Sequence, residues 1–150
     1  MSANASTPKA SPMPHPFIVV GDNGFDLDLA ANQLREKISC LPPGQPQLAK
    51  MVLAKQAGVM EVLLVVRDHE KPHTHPNADL IFTVLEGGGW LQRSPEPNPE
   101  TNIEVMAGGT VVVPKGMCHA FHNTSGTDSV LLATFSPADP TPNDGCPQNY

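Results

Sequence analysis

The sequence predicts an antiparallel β domain, sandwiched or closed into a barrel, with one helix near its N-terminus. Only 16% of the residues are charged, and 17 prolines and 12 glycines supply turns, which is typical of domains built from short strands. Short apolar runs recur throughout residues 46–136. A single segment, from about Phe25 to Leu41, carries apolar residues at the three- and four-residue spacing of an amphipathic helix.

The N-terminal part divides into a tail and a helix. Residues 1–16 are rich in Ser, Pro and Ala and predict a disordered or draped tail. Residues 17–45 predict a short edge strand, at 17–20, followed by the helix. Acidic residues at its start suit the helix dipole, and Pro42-Pro43-Gly44 ends it. We expect this helix to cover one end of a barrel or to lie at a dimer contact.

Residues 46–136 predict the β domain itself, with strands over 48–56, 59–67, 80–86, 90–93, 103–107, 110–113, 120–124 and 130–135. The run from Val62 to Val66 is apolar at every position and predicts a strand buried on both faces. The three glycines at 87–89 predict a hairpin turn. The proline-rich tail, residues 137–150, is expected to drape over the body of the domain.

Charge and cysteine content narrow the functional classes. The formal charge is −6 and no two Lys or Arg residues are adjacent, so nucleic acid and anionic membranes are poor partners. No apolar run reaches the roughly 18–20 residues of a membrane span, and residues 1–16 lack the apolar segment of a secretory signal. Cys40, Cys118 and Cys146 are odd in number and widely spaced, which favours isolated thiols over a disulfide framework. A cytoplasmic location is therefore expected.

A histidine pair predicts a metal site. His73 and His75 project from the same side of an extended segment, because side chains alternate along a strand, and prolines on both sides stiffen the backbone. A third imidazole from a distant strand, such as one within residues 114–123, would complete a three-nitrogen site for Fe, Mn, Ni, Cu or Zn. Such a site leaves coordination positions for water, substrate or dioxygen. The alternative is a pair of half-exposed loop histidines that bind no metal.

The segment around the third histidine resembles the second motif of the cupin superfamily. That motif, G-x5-P-x-G-x2-H-x3-N, is met at Gly108, Pro114, Gly116, His119 and Asn123. The first cupin motif, G-x5-H-x-H-x3–4-E-x6-G, is met at His73, His75 and Gly87. The resemblance covers about residues 46–136. It implies a jelly-roll barrel, also called a double-stranded β-helix, with a metal held inside by the motif histidines, and frequent homodimers.

The first motif is incomplete. Arg67 stands at its opening glycine, and Leu80 stands at the carboxylate position when the spacing is counted back from Gly87. Asp79 is the nearest acid, but neighbouring strand residues point to opposite faces. Two arrangements therefore remain open. One is a three-histidine site with Leu80 facing the metal, and the other is a site in which a β-bulge turns Asp79 inward as a fourth ligand.

Other residues are candidates for the surroundings of the metal. His69, four residues before His73, is a candidate catalytic base near the barrel mouth, or else an exposed loop histidine. His122, three residues after His119, is expected on the opposite face of the strand and is therefore predicted to be a packing or surface residue. By the alternation of side chains along a strand, the candidates to line the cavity are Leu80, Phe82, Val84 and Phe121. Such a cavity would be largely apolar and would suit a small organic substrate, whereas the alternative for these residues is ordinary core packing.

These features together predict a metal-dependent enzyme that acts on an oxygen-bearing small molecule. Dioxygenase chemistry on iron is favoured, because three histidine ligands leave room for both substrate and dioxygen. The alternatives are a non-redox isomerase or lyase, and a non-catalytic cupin that binds a metal or small ligand.

Overall fold

The computed structural model describes residues 26–146, so the predicted tail 1–16 and the edge strand at 17–20 lie outside the described residues. The elements within 26–146 are α1 (Leu27–Ser39), β1 (Leu48–Gln56), β2 (Val59–Val66), β3 (His73–Thr74), β4 (Asp79–Glu86), β5 (Gly88–Gln92), β6 (Ile103–Met106), β7 (Thr110–Val113), β8 (Ala120–Asn123), β9 (Ser129–Ser136) and β10 (Asn143–Asp144). The predominance of strands confirms the predicted all-β class.

Two antiparallel sheets enclose the main core. The larger sheet has the strand order β1-β2-β9-β4-β7, and the smaller has the order β6-β5-β8. A separate two-stranded ladder joins β10 to β3. The core cluster takes buried side chains from both sheets, among them Phe82 of β4 and Phe121 of β8. Non-polar burial between the two sheets therefore fixes the sandwich.

Strand β4 shows which face of the large sheet looks inward. Leu80, Phe82 and Val84 are buried, whereas Asp79 and Ile81 are exposed. This alternation is the expected one for a strand with one face on the core. Leu80 therefore points into the barrel and Asp79 points away from it.

Helix α1 lies on the outer face of the large sheet. Asp26 caps it by accepting hydrogen bonds from the backbone N–H groups of Asp28 and Leu29. Leu34 and Ile38 pack against Leu63 and Val65 of β2. The helix therefore covers a sheet face rather than a barrel end, and that part of the expectation was wrong. Its place at a dimer contact stays a prediction. Strand β2 is apolar on both faces, and its outer face needs a cover of its own. Within residues 26–146, no helix is long and apolar enough to cross a membrane.

The glycines at 87–89 carry the chain from one sheet to the other. β4 pairs with β7 and β9 in the large sheet, whereas β5 pairs with β6 and β8 in the small one. The predicted hairpin turn was therefore wrong. A Cβ at Gly89 would lie 1.8 Å from the carbonyl oxygen of His122, so only glycine permits this close approach of β5 and β8.

The packing of α1 can be tested with a pair of leucines. Leu34 is 0% exposed and Leu29 is 57% exposed on the same helix. We expect Leu34→Ala to lower the free energy of unfolding by about 2–5 kcal/mol, because it leaves a cavity between helix and sheet. Leu29→Ala should change it by no more than about 0.5 kcal/mol. Urea denaturation measures both, and equal losses would contradict the packing described.

Candidate metal centre

Three histidines converge inside the barrel. The ring nitrogens available for coordination in His73, His75 and His119 lie within 4.8 Å of one another. The ring centroids are 4.3 Å apart for His73 and His119, 4.9 Å for His73 and His75, and 5.2 Å for His75 and His119. His75 and His119 are buried and His73 is half-buried. This spacing lets one ion contact a nitrogen of each ring.

Backbone pairing brings the histidine pair to the third ring. The N–H of His73 donates to the carbonyl of His119 at 3.1 Å, and the N–H of His119 donates back to His73 at 3.0 Å. Thr74, between the pair, turns its side chain to the opposite side and is buried there. The i, i+2 spacing therefore places His73, in β3, and His75, directly after it, on the same side of this extended segment, as the sequence predicts.

Hydrogen bonds to carbonyl groups fix which nitrogen of each ring is free. The Nδ1 atoms of His73, His75 and His119 lie 2.7, 2.7 and 3.0 Å from the carbonyl oxygens of Lys71, Pro140 and Met117. A carbonyl oxygen only accepts, so each neutral ring carries its proton on Nδ1 and offers a lone pair on Nε2. Nε2 of His119 is buried and has no hydrogen-bond partner. A buried, unpartnered lone pair beside two further imidazoles fits a divalent metal ion.

The surroundings keep the two inner rings uncharged. Burial is the largest cause that lowers the pKa of His75 to about 4, and the charges of the neighbouring His119 and His73 rings add to it. Burial, followed by the charge of His73, likewise lowers the pKa of His119 to about 4. Both imidazoles are therefore neutral at pH 7, which is the form that binds metals.

No carboxylate joins the cluster in the described part of the chain. Asp79 is exposed, and its Oδ1 accepts a hydrogen bond from the backbone N–H of Lys115 at 2.8 Å. Leu80 takes the inward position and lines the adjoining cavity. Of the two arrangements left open by the sequence, the structure has the three-histidine one, and the alternative with Asp79 as a ligand is wrong.

A cavity of about 410 Å³ adjoins the three rings. Leu80, Phe82 and Phe121 line it, as predicted. Val84 does not: it is fully buried in the core beyond the cavity lining, and this prediction was wrong. Strand parity identifies the face of a residue but not its depth, and Val84 lies about 13 Å along β4 from Leu80. Charged lining residues are Lys50, Glu70, Lys71 and Asp144.

His69 lies outside this cavity. Its ring stacks on His122 with centroids 5.4 Å apart, and its Nδ1 lies 3.1 Å from the carbonyl oxygen of Glu70. His122 in turn stacks on Trp90 at 3.8 Å, and its Nε2 lies 2.9 Å from Oε1 of Gln92. His122 is thus a packing residue, as predicted. The structure does not bring His69 to the metal centre, because it pairs with this outward-facing histidine.

Two features of the centre were missed in the sequence. Glu70 lines the cavity, and its Oε1 accepts a hydrogen bond from the backbone N–H of Phe121 at 2.9 Å. The C-terminal strap, residues 137–146, contributes the carbonyl of Pro140 and three cavity-lining residues, Pro140, Pro142 and Asp144. An acid three residues before the histidine pair was a visible signal for Glu70. A backbone carbonyl leaves no signature in a sequence.

A disulfide joins Cys118 to Cys146, which are 28 positions apart in sequence and have Cα atoms 5.5 Å apart. The prediction of isolated thiols was therefore wrong for these two residues, whereas Cys40 is free and exposed. The pairing was hidden because the barrel, rather than sequence spacing, brings the two together. A disulfide is more typical of an oxidising compartment, so the cysteines no longer support a cytoplasmic location.

Comparisons with known proteins agree with this fold and site. A family model described as "Cupin" matches residues 69–144, about half of the chain. An uncharacterized protein of Aquifex aeolicus is 37% identical over 86 residues, which cover 57% of this chain and 66% of the relative. Putative germin-like protein 2-3 of Oryza sativa subsp. japonica is 39% identical over 72 residues, which cover 46% of this chain and 32% of the relative. The chain thus spans about two thirds of the first relative and one third of the second.

Solved structures share the architecture. A Klebsiella pneumoniae protein with a double-stranded β-helix domain superposes with a TM-score of 0.59 at 14% identity, over 73% of this chain and 92% of that one. Oxalate oxidase in complex with the substrate analogue glycolate superposes with a TM-score of 0.58 at 21% identity, over 71% of this chain and 57% of that one. Identities this low establish the fold alone, and the predicted double-stranded β-helix is confirmed.

The ligand assignment predicts one bound ion per chain. We expect His75→Ala to weaken Zn²⁺ binding on the order of tenfold or more, because one of three ligands is lost. His69→Ala is the matched control, since it removes a histidine of the same loop that lies outside the cluster. Titration against a chromophoric chelator gives both affinities. Unchanged binding by His75→Ala, or equal losses in both variants, would contradict the assignment.

The stability of the metal-free protein should depend on pH. The pKa values of His75 and His119 in the folded state, about 4, lie below the ordinary value of 6.5, so the unfolded chain binds more protons in this range. The free energy of unfolding should therefore fall as the pH falls from about 6.5 toward 4, by up to about 1.4 kcal/mol per pH unit for each histidine. Urea denaturation of chelator-treated protein at pH 7 and 5 measures this. His75→Gln should show a shallower dependence, and an unchanged slope would contradict the burial of neutral rings.

Proposed function

Because this chain belongs to the cupin family, we propose that it is a metal-dependent enzyme acting on a small, oxygen-bearing organic substrate. His73, His75 and His119 would hold the divalent ion. The observation that carries this proposal is the convergence of three Nε2 atoms at the wall of an apolar cavity. Burying such lone pairs without a cation or donor is costly. Iron is favoured for oxygenase chemistry, and Mn, Ni, Cu and Zn also accept imidazole ligands.

The charge balance of the site favours an anionic or enol-forming substrate. When bound, the ion supplies Lewis acidity toward a substrate oxygen and, if it is iron, redox capacity toward dioxygen. Three neutral imidazoles leave its double positive charge uncompensated. The charges of Lys50 and Lys71 in the same cavity are balanced by those of Glu70 and Asp144, so the charge of the ion decides the preference. The aromatic and aliphatic walls suit an apolar body, so an organic acid or enolisable ketone with an apolar part fits best.

Glu70 takes the proton-accepting role first considered for His69. It is a carboxylate of the cavity lining, and the N–H of Phe121 holds one of its oxygens in place. The second oxygen remains able to accept a proton from a bound substrate. Asp144 is the other acid of this lining, and it lies on the C-terminal strap.

Two other functions remain as alternatives. A non-redox isomerase or lyase would use the same ion only as a Lewis acid. A binding cupin would hold metal and ligand without turnover. Oxygenase chemistry is favoured over both because the three-histidine set, without Asp79, leaves coordination positions for substrate and dioxygen together. A homodimer and a cytoplasmic location stay predictions, and light scattering of purified protein tests the first.

Oxygen consumption separates the alternatives. Protein loaded with Fe²⁺ or Zn²⁺ is supplied with apolar carboxylic acids and enolisable ketones, and oxygen uptake and products are measured. We expect uptake with Fe²⁺ only. Conversion with Zn²⁺ and no uptake would favour the isomerase or lyase, and binding without conversion would favour the binding cupin; either result contradicts the oxygenase.

The role of Glu70 has its own test. We expect Glu70→Gln to lower kcat about 100-fold at unchanged metal content, because glutamine keeps the hydrogen bond from Phe121 but cannot accept the proton. Asp79→Asn is the control, since this carboxylate faces away from the cavity. An equal effect of both variants, or a loss of metal in Glu70→Gln, would contradict the role.

A further inference from the structure

The three histidines are oriented in two different ways. His73 and His119 each donate Nδ1–H to a carbonyl two residues earlier in the chain, those of Lys71 and Met117. His75 donates to Pro140, which is 65 residues away in sequence. Two rings are therefore oriented by their own loops. The third is oriented by the C-terminal strap.

The strap is held beside the centre by a short ladder and one covalent bond. In the ladder, Asn143 lies opposite Thr74 and Asp144 opposite His73. The N–H of Gly145 donates to the carbonyl of Pro72 at 2.9 Å. Residues 139–145 are half-buried or exposed, so little apolar burial holds them. A two-residue ladder is marginal by itself. The covalent bond is the disulfide from Cys146 to Cys118, the residue before His119.

We propose that the Cys118–Cys146 disulfide is a positioning element of the metal centre. It holds the strap closed, so that the carbonyl of Pro140 fixes the tautomer and orientation of His75. The inference rests on the proposed function, because it takes the three histidines as metal ligands. It adds that one third of the ligand set depends on a cross-link outside the site.

The physical reason is the freedom of the His75 ring. With the strap in place, Nδ1 keeps its proton and Nε2 points toward the other two rings. Without the cross-link the strap gains conformational freedom, and the hydrogen bond from His75 to Pro140 opens for part of the time. The ring then samples orientations and a tautomer that do not direct Nε2 inward. Loss of such an outer partner typically weakens metal binding about 10–100-fold.

Cys146→Ser in the full chain tests the inference. The affinity for Zn²⁺ is measured by competition with a chromophoric chelator, and we expect it to fall about tenfold. Cys40→Ser is the matched control, because Cys40 is free and exposed, and it should leave the affinity unchanged. Thiol titration of the denatured wild-type protein should find one free thiol. Three free thiols in protein that still binds Zn²⁺ tightly would overturn the proposal.

A double-mutant cycle separates positioning from general loosening. If the strap acts through His75, Cys146→Ser should weaken Zn²⁺ binding about tenfold in a His73→Ala background and by less than about twofold in a His75→Ala background. Equal effects in both backgrounds would mean that the strap acts on the whole barrel, and would overturn the proposal.

Reduction of the folded wild-type protein keeps the test valid if Cys146→Ser fails to fold. A water-soluble phosphine breaks the S–S bond and takes up the oxygen of one water molecule as phosphine oxide. The two hydrogens of that water end on the two sulfurs. After removal of the phosphine, the Zn²⁺ affinity should again fall about tenfold. Wild-type protein that binds no Zn²⁺ in either state would refute the proposed function, whereas equal tight binding in both states would refute only the role of the disulfide.

Discussion

The candidate metal centre depends on three hydrogen bonds from histidine side chains to backbone carbonyl groups, which a sequence does not reveal. Each site histidine donates Nδ1–H to a backbone carbonyl, and the three Nε2 lone pairs are thereby turned toward one point. Lone pairs that face one another in a buried place repel and lack donors, so the arrangement is unfavourable until a cation joins them. The arrangement therefore supports the proposed metal site more than a packing role.

The rest of the fold supplies the surroundings that this centre needs. The large sheet gives an apolar wall, and helix α1 covers the opposite face of that sheet, so the inner face is free to line a cavity. The charged lining residues Lys50, Glu70, Lys71 and Asp144 lie in the same cavity as the three rings. Under the proposed function, the apolar walls would strengthen electrostatic interactions at a bound metal, and the charged groups would orient a substrate that carries its own charge.

Much of this was predictable from local patterns. The i, i+2 spacing of His73 and His75, and the distant motif around His119, were enough to identify the three rings. Strand alternation showed that only one of Leu80 and Asp79 faces inward, but the sequence left open which of them does. The predictions that were wrong concerned residues whose positions depend on how the whole barrel folds. Val84 lies on the predicted face of β4 but too deep in the core to line the cavity. His69 stacks on the outward-facing His122. Cys118 contacts Cys146 only because the fold brings the two together. The alternation of side chains along a strand and the spacing of residues carry no information about depth within a barrel. They also do not reveal contacts between segments that are distant in sequence.

Anomalous diffraction from crystals soaked in Zn²⁺ tests the central claim most directly. A single strong peak is predicted about 2.0–2.1 Å from Nε2 of His73, His75 and His119, with no carboxylate of the chain among its ligands. A peak at other side chains, coordination through Nδ1, or density for Asp79 at the ion would contradict the account.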